Sequence, residues 1–262
     1  MTQHDAVTGA VRDASALAER RVGNDSAAVR EVLGAEVGCT PFTLRTLRCV
    51  RGRSMQRETG SSDELLFVLG GRGTLIAGDG RHELESQTGV LLLAGSHYEL
   101  ENERDEDLEL VGVALHEPLT APAGTAATTL SRLADAQAQS ATGARTFRIV
   151  FDPDAGCATA TQFVGYIPVG AAPTHYHHYE EVIYVLDGNG VMHMNDAQVP
   201  LRTGSCIHLP ARKLHTLENS GPGVMRVLGV FRPAGSPAAA FYPDGTPAYT
   251  GDDEPATTTA AR

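Results

Sequence analysis

Short apolar runs recur along the whole chain and are separated by glycine-rich turns. Leu65–Leu69, Val90–Leu93 and Leu108–Leu115 are examples in the first half, and Met225–Phe231 repeats the pattern near the end. The periodicity that marks an amphipathic helix is weak throughout. Many short strands punctuated by glycine and proline predict an all-β sandwich or barrel.

The pattern of the first half returns in the second half at a nearly constant spacing. The apolar run that follows Glu64 matches the run that follows Glu181. The other matched pairs are Arg30 with Arg148, Gly38 with Gly156, Gly52 with Gly170, Gly71 with Gly188, Asn102 with Asn219, and Gly112 with Gly229. An ordered series of this length indicates two duplicated β-domains that differ by small changes in their loops.

A segment rich in Ala, Thr, Pro and Gly separates the two repeats at Glu117–Gly143. This composition is typical of a linker, so the sequence predicts a first domain over residues 1–125 and a second over residues 126–262. Residues 1–25 are polar and Ala-rich, which predicts a loose lead-in with one short helix near Ala14–Arg21.

The composition narrows the class of protein. Of the 262 residues, 42% are hydrophobic and 20% are charged, which is typical of a soluble globular protein. A net charge of −11 without basic clusters argues against nucleic acid or an anionic membrane as the main partner. No apolar run approaches the ~20 residues that span a bilayer, and no secretion signal is evident at the N-terminus. Four cysteines without a C-x-x-C pair predict buried thiols, so we expect a cytoplasmic protein.

One stretch, His175-x-His177-x3-Glu181, concentrates residue types that bind metals. His175 and His177 are two residues apart, so on a strand both side chains leave the same face. Glu181 follows a short turn, and His215 stands just past a later apolar run that begins after Gly204. Imidazoles and a carboxylate that converge from neighbouring strands are usual ligands of a divalent metal. The sequence therefore predicts a metal site in the second half.

These stretches resemble the two sequence motifs of the cupin superfamily. The first motif, G-x5-H-x-H-x(3–4)-E-x6-G, is matched by Gly170, His175, His177, Glu181 and Gly188. The second motif, G-x5-P-x-G-x2-H-x3-N, is matched by Gly204, Pro210, His215 and Asn219. The chain departs from the motifs in two places: four residues rather than five follow Gly170, and Arg212 stands where the family has glycine.

The resemblance implies a fold and a ligand set. In cupins the two His and the Glu of the first motif, with the His of the second, bind one metal inside a jelly-roll β-barrel. The resemblance thus implies two tandem jelly-roll barrels joined by a short linker. It also implies that His175, His177, Glu181 and His215 hold one divalent transition metal (Fe, Mn, Ni or Zn) in the C-terminal barrel. Glu180 is the alternative carboxylate if the turn shifts by one residue.

The first half lacks the corresponding ligands. Only Glu64 remains of the set, at the position of Glu181. Tyr98 falls opposite His215, and His97 lies one residue away. One carboxylate with at most one nearby His does not make the same site. We therefore expect the N-terminal barrel to be structural or to form an interface, for which a homodimer is the simplest arrangement.

The ligand set limits the chemistry without naming the substrate. Three neutral imidazoles and one carboxylate around a dication leave a net charge of about +1 and open positions for a small chelating enolate, hydroxy-ketone or carboxylate. We expect a metal-dependent oxidoreductase of the dioxygenase type, with Glu181 as general base. One alternative is a non-oxidative isomerase, decarboxylase, cyclase or hydrolase, including an enzyme like ureidoglycine aminohydrolase, whose ligand order differs. The other is a cupin that binds a small ligand without catalysis.

Overall fold

A computed structural model describes residues 9–78, 80–116 and 128–249 of the protein. Within these ranges the regular structure consists of strands and four short 3-10 helices, at Ala14–Ala16, Ala35–Val37, Leu133–Asp135 and Pro153–Ala155. The predicted all-β class is confirmed. No helix in these ranges is long and apolar enough to cross a membrane.

Twenty-two strands carry the fold in the described ranges. The strands before residue 117 are β1 (Ala10–Asp13), β2 (Ala27–Leu33), β3 (Phe42–Cys49), β4 (Gly52–Arg53), β5 (Arg57–Glu58), β6 (Asp63–Gly70), β7 (Arg72–Ala77), β8 (Gly80–Glu85), β9 (Thr88–Leu92), β10 (His97–Asn102) and β11 (Leu108–Leu115). The later strands are β12 (Thr129–Arg132), β13 (Gln139–Ser140), β14 (Thr146–Phe151), β15 (Thr161–Ile167), β16 (Gly170–Ala171), β17 (Glu180–Asp187), β18 (Asn189–Met194), β19 (Ala197–Arg202), β20 (Ser205–Leu209), β21 (His215–Asn219) and β22 (Met225–Arg232).

Each half of the molecule contains one large and one small antiparallel sheet. The first half has a sheet of order β12-β9-β6-β11-β3-β2 and a smaller sheet of order β4-β10-β7-β8, with β5 attached to β10. The second half has the orders β1-β20-β17-β22-β15-β14-β13 and β16-β21-β18-β19. Separate apolar clusters fill the two halves, one around Leu66, Leu75 and Leu100 and the other around Val185, Met192 and Ile207. The predicted pair of jelly-roll barrels is confirmed.

Matched residues of the two halves make matched contacts. Asn102 in β10 donates through Nδ2 to the carbonyls of Cys49 and Glu106, at 3.0 and 2.8 Å. Asn219 in β21 donates in the same way to Ile167 and Gly223, at 2.8 and 2.7 Å. In each half a buried asparagine amide thus links the end of a strand to a loop by the same two hydrogen bonds. Two unrelated domains are not expected to share this detail. The sequence repeat is therefore a repeat of structure as well.

The two halves exchange one strand each. β1 pairs with β20 of the second barrel, and β12 pairs with β9 of the first barrel. The prediction of a loose lead-in over residues 1–25 is therefore wrong for Ala10–Asp13, which form β1. The short helix predicted near Ala14–Arg21 is reduced, within the described residues, to a single 3-10 turn at Ala14–Ala16. Residues 117–127 of the predicted linker lie outside the described residues. The domain limits at residues 125 and 126 remain a prediction.

The large sheets of the two barrels meet in a shared apolar core. This cluster joins side chains of both halves, including Phe67 and Val113 from the first and Phe151 and Val230 from the second. Gly89 in β9 lies so close to β14 that an added Cβ would be 2.3 Å from a methyl carbon of Val150. Glycine is needed here because the two strands approach more closely than a side chain allows.

Candidate metal centre

Three histidine side chains converge inside the second barrel. His175 and His215 face each other across a short antiparallel bridge whose two N–H···O bonds measure 3.1 and 2.9 Å. His177 follows two residues after His175, so its side chain leaves the same side of the chain. Each residue offers one ligand nitrogen, and the three nitrogens lie within 4.8 Å of one another. The structure thus brings together three of the four predicted ligands.

Each of these imidazoles is fixed by its own backbone contact. Nδ1 lies 2.8 Å from the carbonyl of Pro173 for His175, 2.9 Å from that of Ala239 for His177, and 2.8 Å from that of Lys213 for His215. A carbonyl only accepts hydrogen bonds, so each Nδ1 carries the proton. The lone pair is then left on each Nε2. Burial lowers the pKa of all three imidazoles, which keeps them neutral.

Glu181 lines the same pocket from β17 and is 4% exposed. Gly229 of the neighbouring strand leaves room for the carboxylate, because a Cβ there would be 2.7 Å from Oε1. No described residue offers a cation or a hydrogen bond to this carboxylate, and burial raises the pKa of Glu181 to about 8. Its carboxylate lies outside the 4.8 Å group of histidine nitrogens. Glu180, the alternative carboxylate, points to the other face and contacts His208 at 2.7 Å.

The pocket around these residues is largely apolar. Its walls include Phe147, Ile167, Ile183, Leu209 and Val227. The segment after the last strand closes one side, since Pro237, Ala238, Ala240, Tyr242 and Ala248 also line the pocket. The sequence alone did not indicate this closure, because the segment is rich in Pro, Gly and Ala and carries no chemical motif.

Comparisons with known proteins agree with this architecture. Residues 162–231, which run from β15 to β22 and contain all four predicted ligands, match the family model described as Cupin domain. The second barrel therefore contains a cupin domain. The chain is 31% identical over 64 residues to the uncharacterized protein MJ1618 of Methanocaldococcus jannaschii. That match covers 24% of this chain and only 51% of the relative, so the chain spans about half of the curated relative that it matches.

Solved structures of two-barrel proteins superpose on most of the chain. A variant of Bacillus subtilis oxalate decarboxylase OxdC gives a TM-score of 0.70 at 15% identity, covering 92% of this chain and 81% of the other. Protein YlbA from E. coli gives 0.72 at 11% identity, covering 86% and 91%. AerE from Microcystis aeruginosa gives 0.68 at 13% identity, covering 82% and 96%. At these identities the likeness establishes the cupin fold of both halves.

At Arg212, one of the two departures from the cupin motifs, the backbone keeps the conformation that glycine favours. Arg212, which replaces the motif's second glycine, has a φ of +62°. This is the left-handed region that glycine favours, so the turn keeps its shape despite the substitution. The N–H of Arg212 donates to the carbonyl of His177 at 2.6 Å, which ties the two cupin motifs together.

The first cupin barrel fills the matching position with an ion pair. Arg45 donates through Nη2 to Glu64, the counterpart of Glu181. The hydroxyl of Tyr98, which stands at the position of His215, donates to the other oxygen of Glu64 at 3.1 Å. Burial alone lowers the pKa of Arg45, but the carboxylate beside it raises that pKa overall. The guanidinium supplies the positive charge that this buried carboxylate requires.

A second group of potential ligands lies between the barrels. Cys39, Glu180 and His208 each place one ligand atom within 4.8 Å of the others. Burial raises the pKa of the Cys39 thiol to about 12, so the sulfur keeps its proton and is a poor metal ligand. Glu180 already contacts Nε2 of His208 at 2.7 Å. We assign this group to packing between the two barrels.

Proposed function

We propose that the second cupin barrel binds one divalent transition metal through His175, His177, His215 and Glu181, and that the protein is an enzyme acting on a small chelating metabolite. The observation that carries this proposal is the common orientation of the three imidazoles. Each has its Nδ1 proton held by a backbone carbonyl, and the three ligand nitrogens are close together. This is the arrangement in which backbone contacts fix metal-binding histidines.

The remaining member of the set supports a cation in the same place. Glu181 is a buried carboxylate without a positive partner among the described residues, and such a group is costly to ionise in an apolar pocket. A divalent cation nearby would favour the ionised form. The donor set therefore fits a hard or borderline dication such as Fe, Mn, Ni or Zn.

The reaction we propose is a dioxygenation of a small enolate or hydroxy-ketone. A transition metal in this ligand set would supply Lewis-acid chemistry and, for Fe, Mn or Ni, electron exchange with dioxygen. The chain's own part is to exclude water with its apolar walls and to remove the acidic proton of the substrate. Glu181 is the base, because it is the one carboxylate among the residues that line the pocket and a positioned carboxylate can take the substrate's acidic proton.

A second candidate is a non-oxidative reaction such as decarboxylation, isomerisation, cyclisation or hydrolysis. It is supported by the likeness to structures named as oxalate decarboxylases from Bacillus subtilis and Lactobacillus farciminis. The same ligand set serves a Lewis acid that never exchanges electrons. Cupin barrels host unrelated activities, so the fold does not choose between the two reactions.

Metal content tests the proposed site. The full-length protein, purified without chelator, is expected to contain metal by elemental analysis, and His175→Ala, His177→Ala and His215→Ala are each expected to lose most of it. His193→Ala is the matched control, because His193 contacts Glu218 at 2.7 Å and does not line the pocket. Full metal occupancy in all three pocket variants would refute the ligand set. A metal-free wild type would favour a ligand-binding role without catalysis.

Oxygen uptake separates the two reactions. Protein loaded with Fe(II), Mn(II) or Ni(II) is expected to consume dioxygen with at least one member of a panel of flavonols, β-diketones and hydroxy-ketones. Substrate turnover that continues unchanged without oxygen would exclude the dioxygenase and establish the non-oxidative alternative. His177→Ala is the negative control, since it removes a proposed ligand without altering the outer surface of the barrel.

A further inference from the structure

Arg145 places a positive charge in the pocket of the second barrel. It lies in the turn between β13 and β14, and its side chain lines the same pocket as the three histidines. Nη2 donates to the carbonyl of Leu217 at 2.6 Å, which holds the guanidinium against β21 two residues beyond His215. A backbone contact fixes its position but supplies no counter-charge.

The charge of Arg145 has no partner within the described part of the chain. No acidic residue there forms an ion pair with it, and the one carboxylate among the pocket-lining residues, Glu181, belongs to the proposed metal site. Burial lowers the pKa of Arg145 to about 10, which reflects the cost of holding this charge away from water. Arg45 of the first barrel is the contrast, because it pairs directly with Glu64.

The residues that line the pocket limit the kind of ligand that could neutralise the charge of Arg145. Apolar side chains such as Phe147, Ile167 and Val227 line the pocket that holds the histidines and Arg145. A desolvated guanidinium binds a carboxylate by two parallel charge-assisted hydrogen bonds, and the pair is strongest where water is excluded. The walls suit an apolar body, whereas a polyanion or a sugar would leave its own polar groups unpaired.

We propose that Arg145 binds the carboxylate of a small carboxylic acid with an apolar body, whose other end reaches the three histidines. This inference rests on the proposed function and adds the class of substrate to it. It gives the two ends of the substrate separate partners: Arg145 takes the carboxylate, and the metal site takes the coordinating oxygen. Arg145 is then the residue that sets the orientation of the substrate in the pocket.

Binding measurements with matched acids and amides test this role. The probes are the straight-chain acids from acetate to hexanoate and 4-methyl-2-oxopentanoate, each compared by calorimetry with its uncharged primary amide. The wild-type protein is expected to bind at least one of the longer acids more than tenfold tighter than its amide. Arg145→Gln is expected to weaken acid binding by about 10- to 100-fold, the usual effect of removing a charged hydrogen-bond donor, and to leave amide binding unchanged. Arg145→Lys is expected to restore part of the preference.

Controls separate this inference from the proposed metal site. Arg148→Gln removes a nearby arginine that contacts the carbonyls of Leu133 and Ala136 and does not line the pocket, so it is expected to keep the acid preference. Each titration is run on metal-depleted and metal-loaded protein, and metal content is measured separately. An acid preference that depends on Arg145 in a protein that takes up no metal even when metal is supplied would leave the inference standing and remove the proposed function. Equal binding of acids and amides, no binding of any acid, or unchanged acid binding in folded Arg145→Gln would overturn the inference.

Discussion

The charge that compensates a buried glutamate differs between the two barrels. Arg45 and Phe163 occupy matching places, each opposite a glycine of the neighbouring strand, Gly112 and Gly229. In the first barrel the guanidinium satisfies the glutamate directly, whereas the phenyl ring of the second barrel leaves its glutamate without a cation. One barrel therefore closes its interior with an ion pair, and the other keeps a pocket that a metal can complete.

Removing the guanidinium should cost the first barrel much of its stability. Arg45→Met leaves Glu64 buried without a positive partner, and we expect the free energy of unfolding to fall by about 3–5 kcal/mol. Arg45→Met combined with Glu64→Gln should recover most of that loss, because no unpaired charge is then buried. Urea denaturation of the wild type, both single variants and the double variant measures the coupling. Additive effects of the two substitutions would show that the pair does not stabilise the barrel.

Glu181 is expected to matter more for turnover than for metal binding. Glu181→Gln keeps the size of the side chain and one oxygen ligand but cannot accept the substrate's proton. We expect turnover to fall by about 10²–10⁴, the usual contribution of a positioned base, while metal content falls less. Elemental analysis and steady-state kinetics on the same preparations compare the two effects. Unchanged turnover would remove Glu181 from the role of base.

At the scale of elements, the exchange of β1 and β12 makes each barrel depend on a strand from the other repeat. The half-buried side chain of Val11 in β1 packs against the core of the second barrel. Leu130 in β12 packs against the core of the first barrel in the same way. Because each exchanged strand covers an edge of a large sheet, it also protects that edge from pairing with other chains.

A charge placed on an exchanged strand should destabilise the opposite barrel. We expect Leu130→Asp to lower the free energy of unfolding by about 1–3 kcal/mol and to speed hydrogen exchange in β9 but not in β20. Val11→Asp should have the reverse pattern. Thr129→Asp is the matched control, because this neighbouring side chain is exposed and should change stability by no more than about 0.5 kcal/mol. If hydrogen exchange is equally fast in β9 and β20 in every variant, the exchanged strands do not stabilise the opposite barrels.

The elements that could be predicted from the sequence are those with a local signal. His175 and His177 are two residues apart and shortly precede Glu181 at the start of β17, so short-range geometry suffices to group them. β1 has only four residues of mixed polarity, and its partner lies in the other half of the chain, so no local pattern indicates it. The sequence did not single out Arg145 for the same reason. Its proposed role depends on its position in a folded pocket where the described residues offer it no counter-charge.

At the scale of the whole molecule, association between chains remains a prediction. The first barrel has an ion pair in place of metal ligands, yet it contributes about half of the shared core. This packing role within one chain is one reason for the protein to keep the first barrel. We still propose a homodimer, because jelly-roll sheets expose edges and faces that other copies can cover. Light scattering at micromolar concentration is expected to give twice the mass of the chain, and a monomer would contradict this.

The last prediction concerns how many metals the whole molecule holds. Two barrels of the same fold could each carry a site, but the position of His215 is taken by Tyr98 in the first barrel, and Arg45 already occupies the charge-compensating place beside Glu64. A dication there would face a guanidinium at close range, and like charges in a buried site repel strongly. We therefore expect one equivalent of metal per chain by elemental analysis, with anomalous scattering confined to the second barrel. Glu64→Gln should leave this ratio unchanged, whereas His177→Ala should lower it, and a ratio near two with scattering beside Glu64 would show that the first barrel binds metal after all.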